Sequence, residues 1–124
     1  MNTTLRAILF EDSETVASAL KKILVELGYD CCCIGDLGRA VPQANIGEYD
    51  IAVVDLNFCN ESAYRLLDIL KSRHIDILIV EGSSHCPVRS PYDQEVTIRK
   101  PLNIDSFRAA IELVAKLRRA EATQ

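Results

Sequence analysis

Three runs of four apolar residues, Ala7 to Phe10, Ile51 to Val54 and Ile77 to Val80, each stop at a carboxylate: Glu11, Asp55 and Glu81. Runs this short are too brief for a buried helix. Their lack of alternation and their β-branched content predict strands covered on both faces, as in a parallel sheet. A charge set directly against such a run is costly unless it finds a partner. Each carboxylate is therefore either one wall of a site or the first residue of a loop, and Glu81, followed by Gly82, Ser83 and Ser84, poses that choice most sharply.

The segments between the runs read as helices. Ser13 is a good N-cap, Val16, Leu20, Ile23, Leu24 and Leu27 recur at helical spacing, and Gly28 supplies a stop. Tyr29 to Ile34 reads as a second strand, and Gly35 to about Asn45 as a weaker helix cut by Pro42. Ala63, Leu66, Leu67 and Leu70 mark a helix from about Ser62 to Ser72. After Glu81 the segment EGSSHCPVRSPYDQ carries Pro87 and Pro91 and no helical period, so the fourth crossover helix is expected to be short or missing. Glu95 to Ile98 reads as a fifth strand. The last helix opens near Asn103 and sets Ile104, Phe107, Ile111, Val114 and Leu117 on one face. Strands alternating with helices give an α/β fold, a doubly wound five-stranded parallel sheet forming one domain over residues 1–124.

Composition narrows the function. The 124 residues carry a formal net charge of −4, with 48% hydrophobic and 26% charged residues, which suits a globular domain and offers no electrostatic attraction to nucleic acid or anionic membrane. The basic group Lys116, Arg118 and Arg119 falls at the end of the last helix, where it complements the helix dipole. No apolar run approaches the roughly 20 residues that span a bilayer, and the start lacks a signal-type core. A cytoplasmic protein is expected. Five cysteines, three of them consecutive (Cys31, Cys32, Cys33), do not form a disulfide framework, and strand neighbours point to opposite faces, so they read as small buried hydrophobes.

In an open parallel sheet, ligands bind beyond the carboxyl ends of the strands. Those ends carry Glu11 and Asp12, Asp55, Glu81 and Lys100. Carboxylate oxygens suit magnesium and an ammonium suits a phosphoryl oxygen, so the set predicts a divalent-cation and phosphate site. Two carboxylates about 4 Å apart repel by about 4 kcal/mol at an effective dielectric near 20, which favours a bound cation or a shared proton. No glycine-rich loop follows the first strand, which argues against a dinucleotide or P-loop site. His74 and His85 belong to no nucleophile motif.

These residues resemble the receiver domains of two-component response regulators, over nearly the whole chain. AILFEDSE is similar to the family's first strand and acid pair, which implies that Glu11 and Asp12 hold magnesium. In IAVVDLNF, Asp55 resembles the phospho-acceptor and metal ligand, and Asn57 the position whose backbone carbonyl completes the ligand set. In TIRKPLNIDSF, Lys100 before Pro101 resembles the lysine that contacts the phosphoryl group. More narrowly, DLNFCNESAYRLLDIL and the proline-containing segment before RKP resemble a bacterial subgroup with a Phe-Ala-Thr-Gly-Tyr type motif and a reduced fourth helix. The resemblance implies a phosphorelay component, a phosphoprotein rather than an enzyme beyond self-dephosphorylation. It would take its phosphoryl group from a histidine kinase or phosphotransfer protein and act on a downstream protein target without an effector domain. Homodimer formation is left open.

The chain departs from the family at three places. Glu81 stands where a Thr or Ser hydroxyl is usual, Thr97 where many relatives carry Tyr or Phe, and Cys59 where a proline is common. An ionised glutamate cannot donate a hydrogen bond and repels a phosphoryl group of about −1.5 to −2 charges. Glu81 is thus expected to weaken phosphorylation by pairing with Lys100. The alternatives are a pseudo-receiver, an interaction module with weak or no phosphorylation, and a shifted register in which Ser83 or Ser84 supplies the hydroxyl. A hydrolase built on Asp55 is disfavoured because Leu56 and Asn57 bring no second acid.

Overall fold

The computed structural model describes residues 4–59, 62–82 and 87–122. Five strands, β1 (Leu5–Phe10), β2 (Tyr29–Ile34), β3 (Ile51–Asp55), β4 (Asp76–Glu81) and β5 (Val96–Arg99), form one sheet in the order β2-β1-β3-β4-β5. Every pairing is parallel. Parallel neighbours need crossovers, and these are supplied by α1 (Glu14–Glu26), α2 (Leu37–Ile46) and α4 (Ala63–Ser72), while α5 (Ile104–Ala122) closes the chain. The doubly wound architecture predicted from the sequence is the one observed.

Period-2 alternation sorts the strand residues onto two cores. Ile8, Phe10, Val54, Ile77 and Ile79 pack with Leu66, Leu67 and Leu70 of α4 and with Ala40 and Ala44 of α2. Leu9, Val53, Leu78 and Val80 face the other way, against Leu20 and Leu24 of α1 and Phe107 and Ile111 of α5. Both faces of the sheet are thus covered, which is why the central runs tolerate no polar residue until they reach its edge.

Local signals act largely as the sequence implies. The Ser13 hydroxyl accepts from the Val16 amide at 3.3 Å, capping α1. Asp36 caps α2 through the Gly38 amide at 2.9 Å. Two elements differ from expectation. Pro42 lies inside α2 without cutting it; it and Gly38, whose carbonyl loses its helical donor, are both exposed, so water can take the missing partner's place. A four-residue helix, α3 (Leu56–Cys59), follows β3 at once, too short to leave a periodic signal.

Between β4 and β5, the helical content among the described residues is one 3-10 turn, Tyr92–Gln94. The reduced fourth helix is therefore present as expected, and aromatic packing takes its place. Tyr92 is buried in the same core as Ile79, its ring tilted 47° to that of Tyr64 at 6.2 Å, and its hydroxyl donates to Asp68. Burial first, then that hydrogen bond, pushes the Tyr92 phenol up to about 12. The Arg89 amide donates to the Tyr64 hydroxyl at 3.0 Å, and its guanidinium lies 4.1 Å from the Tyr64 ring centroid.

Helix α4 ends in a Schellman turn: the His74 amide donates to Lys71 and the Ile75 amide to Leu70, both at 3.0 Å. His74 occupies the left-handed region at φ 60°, where glycine is usual. Arg73 ties this end to α2 by donating to the carbonyls of Ala44 and Gly47, groups that the end of α2 leaves without helical partners. Replacing His74 by valine, whose branched Cβ fits that region poorly, should lower stability by about 1–2 kcal/mol, whereas His74→Gly should be tolerated. Urea unfolding checks this as a lower midpoint at unchanged slope for His74→Val alone.

Candidate functional site

The crossovers run to opposite sides of the sheet on either side of β1 and β3, which opens a crevice at their carboxyl ends. Glu11 follows β1 directly and Asp55 is the last residue of β3. One carboxylate oxygen each from Glu11, Asp12 and Asp55 can be chosen so that all three lie within 4.8 Å of one another. Glu11 and Asp55 are 4% and 1% exposed, while Asp12 stands in solvent. Such an oxygen-only donor set, half sheltered and open on one side, fits magnesium, which keeps several waters and takes one or two carboxylates.

Asp55 is held by more than its acidic neighbours. Lys100 Nζ donates to Asp55 Oδ2 at 2.7 Å, the Lys100 side chain being 31% exposed. Asp55 Oδ1 accepts from the amides of Asn57 at 2.9 Å and Phe58 at 3.4 Å, so the same carboxylate caps α3. Burial pushes the Asp55 carboxyl up, but hydrogen bonds with Glu11 and Lys100 outweigh it and hold the group below its usual value. Glu11 goes the other way: burial first, then the hydrogen bond to Asp55, raises it from 4.5 to about 7. The two groups are thus pushed in opposite directions, so that on acidification a proton is taken up by Glu11 before Asp55. Lys100 is raised because its pairing with Asp55 outweighs desolvation.

Glu81 ends β4, half-buried, and belongs to the site edge rather than to a loop. Its expected partner was Lys100; the observed one is Arg99, whose Nε lies 2.9 Å from Glu81 Oε1. Strand register explains the correction. Glu81 lies opposite Arg99, so those two side chains share the α2/α4 face, and the next residue, Lys100, turns to the α1/α5 face where Asp55 waits. The Lys100 amide meanwhile donates to the Glu81 carbonyl at 2.8 Å. Arg99 is the site residue that sequence reasoning passed over; the signal available was an arginine at the end of a strand neighbouring one that ends in glutamate.

Asn57, expected to offer a backbone carbonyl to the metal, lies in α3 with its amide hydrogen-bonded to Asp55. Its side chain lies so close to Gly82 that a Cβ on Gly82 would stand 2.1 Å from Asn57 Nδ2. That contact accounts for the glycine. The Thr97 hydroxyl is used locally, donating to the Glu95 carbonyl at 3.1 Å. Ser83, Ser84, His85 and Cys86 lie outside the described residues, as does the side chain of Cys59. Cys31, Cys32 and Cys33 are free thiols; burial pushes Cys31 up to about 12, consistent with a packing role.

No protein-family model and no curated protein matches this sequence. Solved structures do. The signal receiver domain of a putative Luxo repressor protein from Vibrio parahaemolyticus aligns at a TM-score of 0.80 and 19% identity, over 98% of this chain and 97% of that one. A response regulator receiver domain protein from Bacillus halodurans aligns at 0.75 and 23% identity, over 90% and 97%. SdrG from Sphingomonas melonis Fr1 aligns at 0.74 and 20% identity, over 93% and 99%. The chain has the fold of response regulator receiver domains. Among the described residues, no helix is long and apolar enough to cross a membrane.

The raised Glu11 group has a measurable consequence. Its contribution to stability is complete below 4.5 and is lost as pH rises through about 7. A divalent cation bound there would replace that proton and restore what the deprotonated cluster loses. Magnesium should therefore raise the melting temperature more at pH 8 than at pH 6, and Glu11→Gln should remove most of the difference. Melting curves with and without magnesium at both pH values check it; equal shifts would contradict it.

Proposed function

We infer that this chain is a two-component receiver that accepts a phosphoryl group on Asp55 from a histidine kinase or phosphotransfer protein and signals through protein contacts. The observation that carries this reading is the single carboxylate on which the whole site converges. Asp55 is paired with Lys100 at 2.7 Å, grouped with Glu11 and Asp12, and braced by the amides that start α3.

In the reaction proposed, an Asp55 oxygen forms a bond to phosphorus as the bond from phosphorus to the donor's imidazole nitrogen breaks. The electron pair of that bond leaves with the imidazole, and the product on this chain is an acyl phosphate. Glu11, Asp12, Asp55 and the Asn57 backbone carbonyl are the groups that would hold magnesium. When bound, the ion supplies positive charge that offsets the repulsion between carboxylate and phosphoryl oxygens. Lys100 stays within reach of the product, its ammonium passing from the carboxylate to a phosphoryl oxygen. The two amides at the start of α3 keep the other Asp55 oxygen from turning. The domain works by positioning charge, in the cytoplasm on this reading, and its downstream target is a protein.

A second reading is supported by Glu81: a carboxylate at the end of β4 brings negative charge where a hydroxyl would suit a phosphoryl group, as in a pseudo-receiver. Incubation with acetyl phosphate and magnesium, followed by intact-mass measurement, separates the two. Wild type should gain one phosphoryl group and Asp55→Asn none, and Lys100→Ala should slow labelling by about 10²-fold, the effect typical of removing one charge-stabilising donor. Magnesium binding without any labelling would favour the pseudo-receiver.

A further inference from the structure

The Glu81–Arg99 pair sits on the two strands beyond the one that carries Asp55, Glu81 on β4 and Arg99 on β5, and has no part in the chemistry described above. Its two members are unequally placed: the Glu81 side chain is 16% exposed and that of Arg99 76%. Asp55 lies opposite Val80 and Glu81 opposite Arg99, so the Arg99 Cα stands two strands from Asp55, about 10 Å away from strand spacing and rise. An extended arginine side chain and a phosphoryl group projecting from Asp55 together cover that span. Arg99, held through Nε with its side chain mostly exposed, has room to swing over the sheet edge. Glu81, mostly enclosed, depends on it for compensation.

We propose that Arg99 is a second cationic ligand for the phosphoryl group on Asp55, held in reserve by Glu81. The proposal rests on the receiver reading and adds a charge exchange to it. Before phosphorylation, one carboxylate holds the guanidinium by a partly exposed contact, which is weak. A phosphoryl group offers Arg99 three oxygens and a larger charge in a geometry that accepts a guanidinium through two nitrogens at once. Arg99 then leaves Glu81, and a half-enclosed carboxylate without its partner turns out to water. The end of β4 changes shape as a result. On this chain the carboxylate thus does by release what a hydroxyl would do by hydrogen bonding, and Glu81 becomes part of the switch rather than a defect in it.

Four variants and two probes test this. With acetyl phosphate and magnesium, Glu81→Gln, which loosens the hold on Arg99, should raise the steady-state labelling of Asp55 by about tenfold, and Arg99→Ala should lower it by about as much. Arg99→Lys should recover part of the loss. In the double variant Arg99→Ala with Glu81→Gln, the gain from Glu81→Gln should disappear, because that gain acts through Arg99. With beryllofluoride and magnesium, the Arg99 Nε–H resonance should move in wild type. Persistence of the full gain in the double variant would overturn the proposal, since Glu81 would then act by repulsion alone. So would an unmoved Arg99 resonance while resonances around Asp55 and Lys100 shift. That last outcome leaves the receiver reading standing, whereas absence of labelling and of any beryllofluoride response in all the proteins overturns both.

Discussion

The buried Asp55 carboxylate is the constraint around which the rest of the sheet edge is organised. A charge 1% exposed at the end of a core strand survives only with dedicated partners, and this one has them on several sides: an ammonium, two backbone amides and the Glu11 carboxyl, whose hold on a proton is raised. Each partner comes from a different segment: Glu11 from the end of β1, the amides from the start of α3, and Lys100 from the chain beyond β5. Crossover topology is what brings these sequence-distant pieces together. On the proposed reading the arrangement would also leave the group open to attack on phosphorus, because the Lys100 side chain that pairs with it is partly exposed.

Alternation along the strands then divides the edge into two charge systems. On the α1/α5 face lie Glu11, Asp55 and Lys100; on the α2/α4 face lie Glu81 and Arg99. The two are separated by a single residue of register, yet they differ in kind. The first is sheltered, and the second is anchored on a half-buried carboxylate with an exposed counter-ion. On the proposed exchange, a ligand that adds negative charge to the first system would change the balance of the second.

Much of this was legible in the sequence, and the exceptions have physical causes. The runs ending at Glu11, Asp55 and Glu81 and the lysine–proline pair at Lys100 announce a parallel sheet with its chemistry at one edge, because burial on both faces forces an unbroken apolar pattern and the sheet edge is the first place a charge can stand. The helix around Pro42 was legible but its unbroken passage through that residue was not, since an exposed turn can lose one hydrogen bond to water and continue. Nor was α3, a single turn stabilised by the Asp55 side chain rather than by its own composition. The partner of Glu81 was misread for a subtler reason. Two cations adjoin in sequence, and which of them faces Glu81 depends on the pairing of β4 with β5, a tertiary fact that a shift of one residue would reverse.

The β4–β5 crossover shows how the fold tolerates losing a helix there. The usual layer on this side of the sheet is replaced by Tyr92, set in the same core as Ile79, with Asp68 and Tyr64 of α4 receiving its hydroxyl and its ring. Arg89 and the Lys71–Glu95 ion pair at 3.0 Å fix the same segment to the same helix. Helix α4 thus serves twice, packing on β3 and β4 through its leucines and holding the crossover through its polar and aromatic face. Because β4 ends at Glu81 and the crossover is docked on α4, the charge at the strand end and the surface of α4 bound the same stretch of chain. On the proposed receiver reading, a change at Glu81 would therefore be felt first at α4 and the docked crossover rather than at an independent fourth helix.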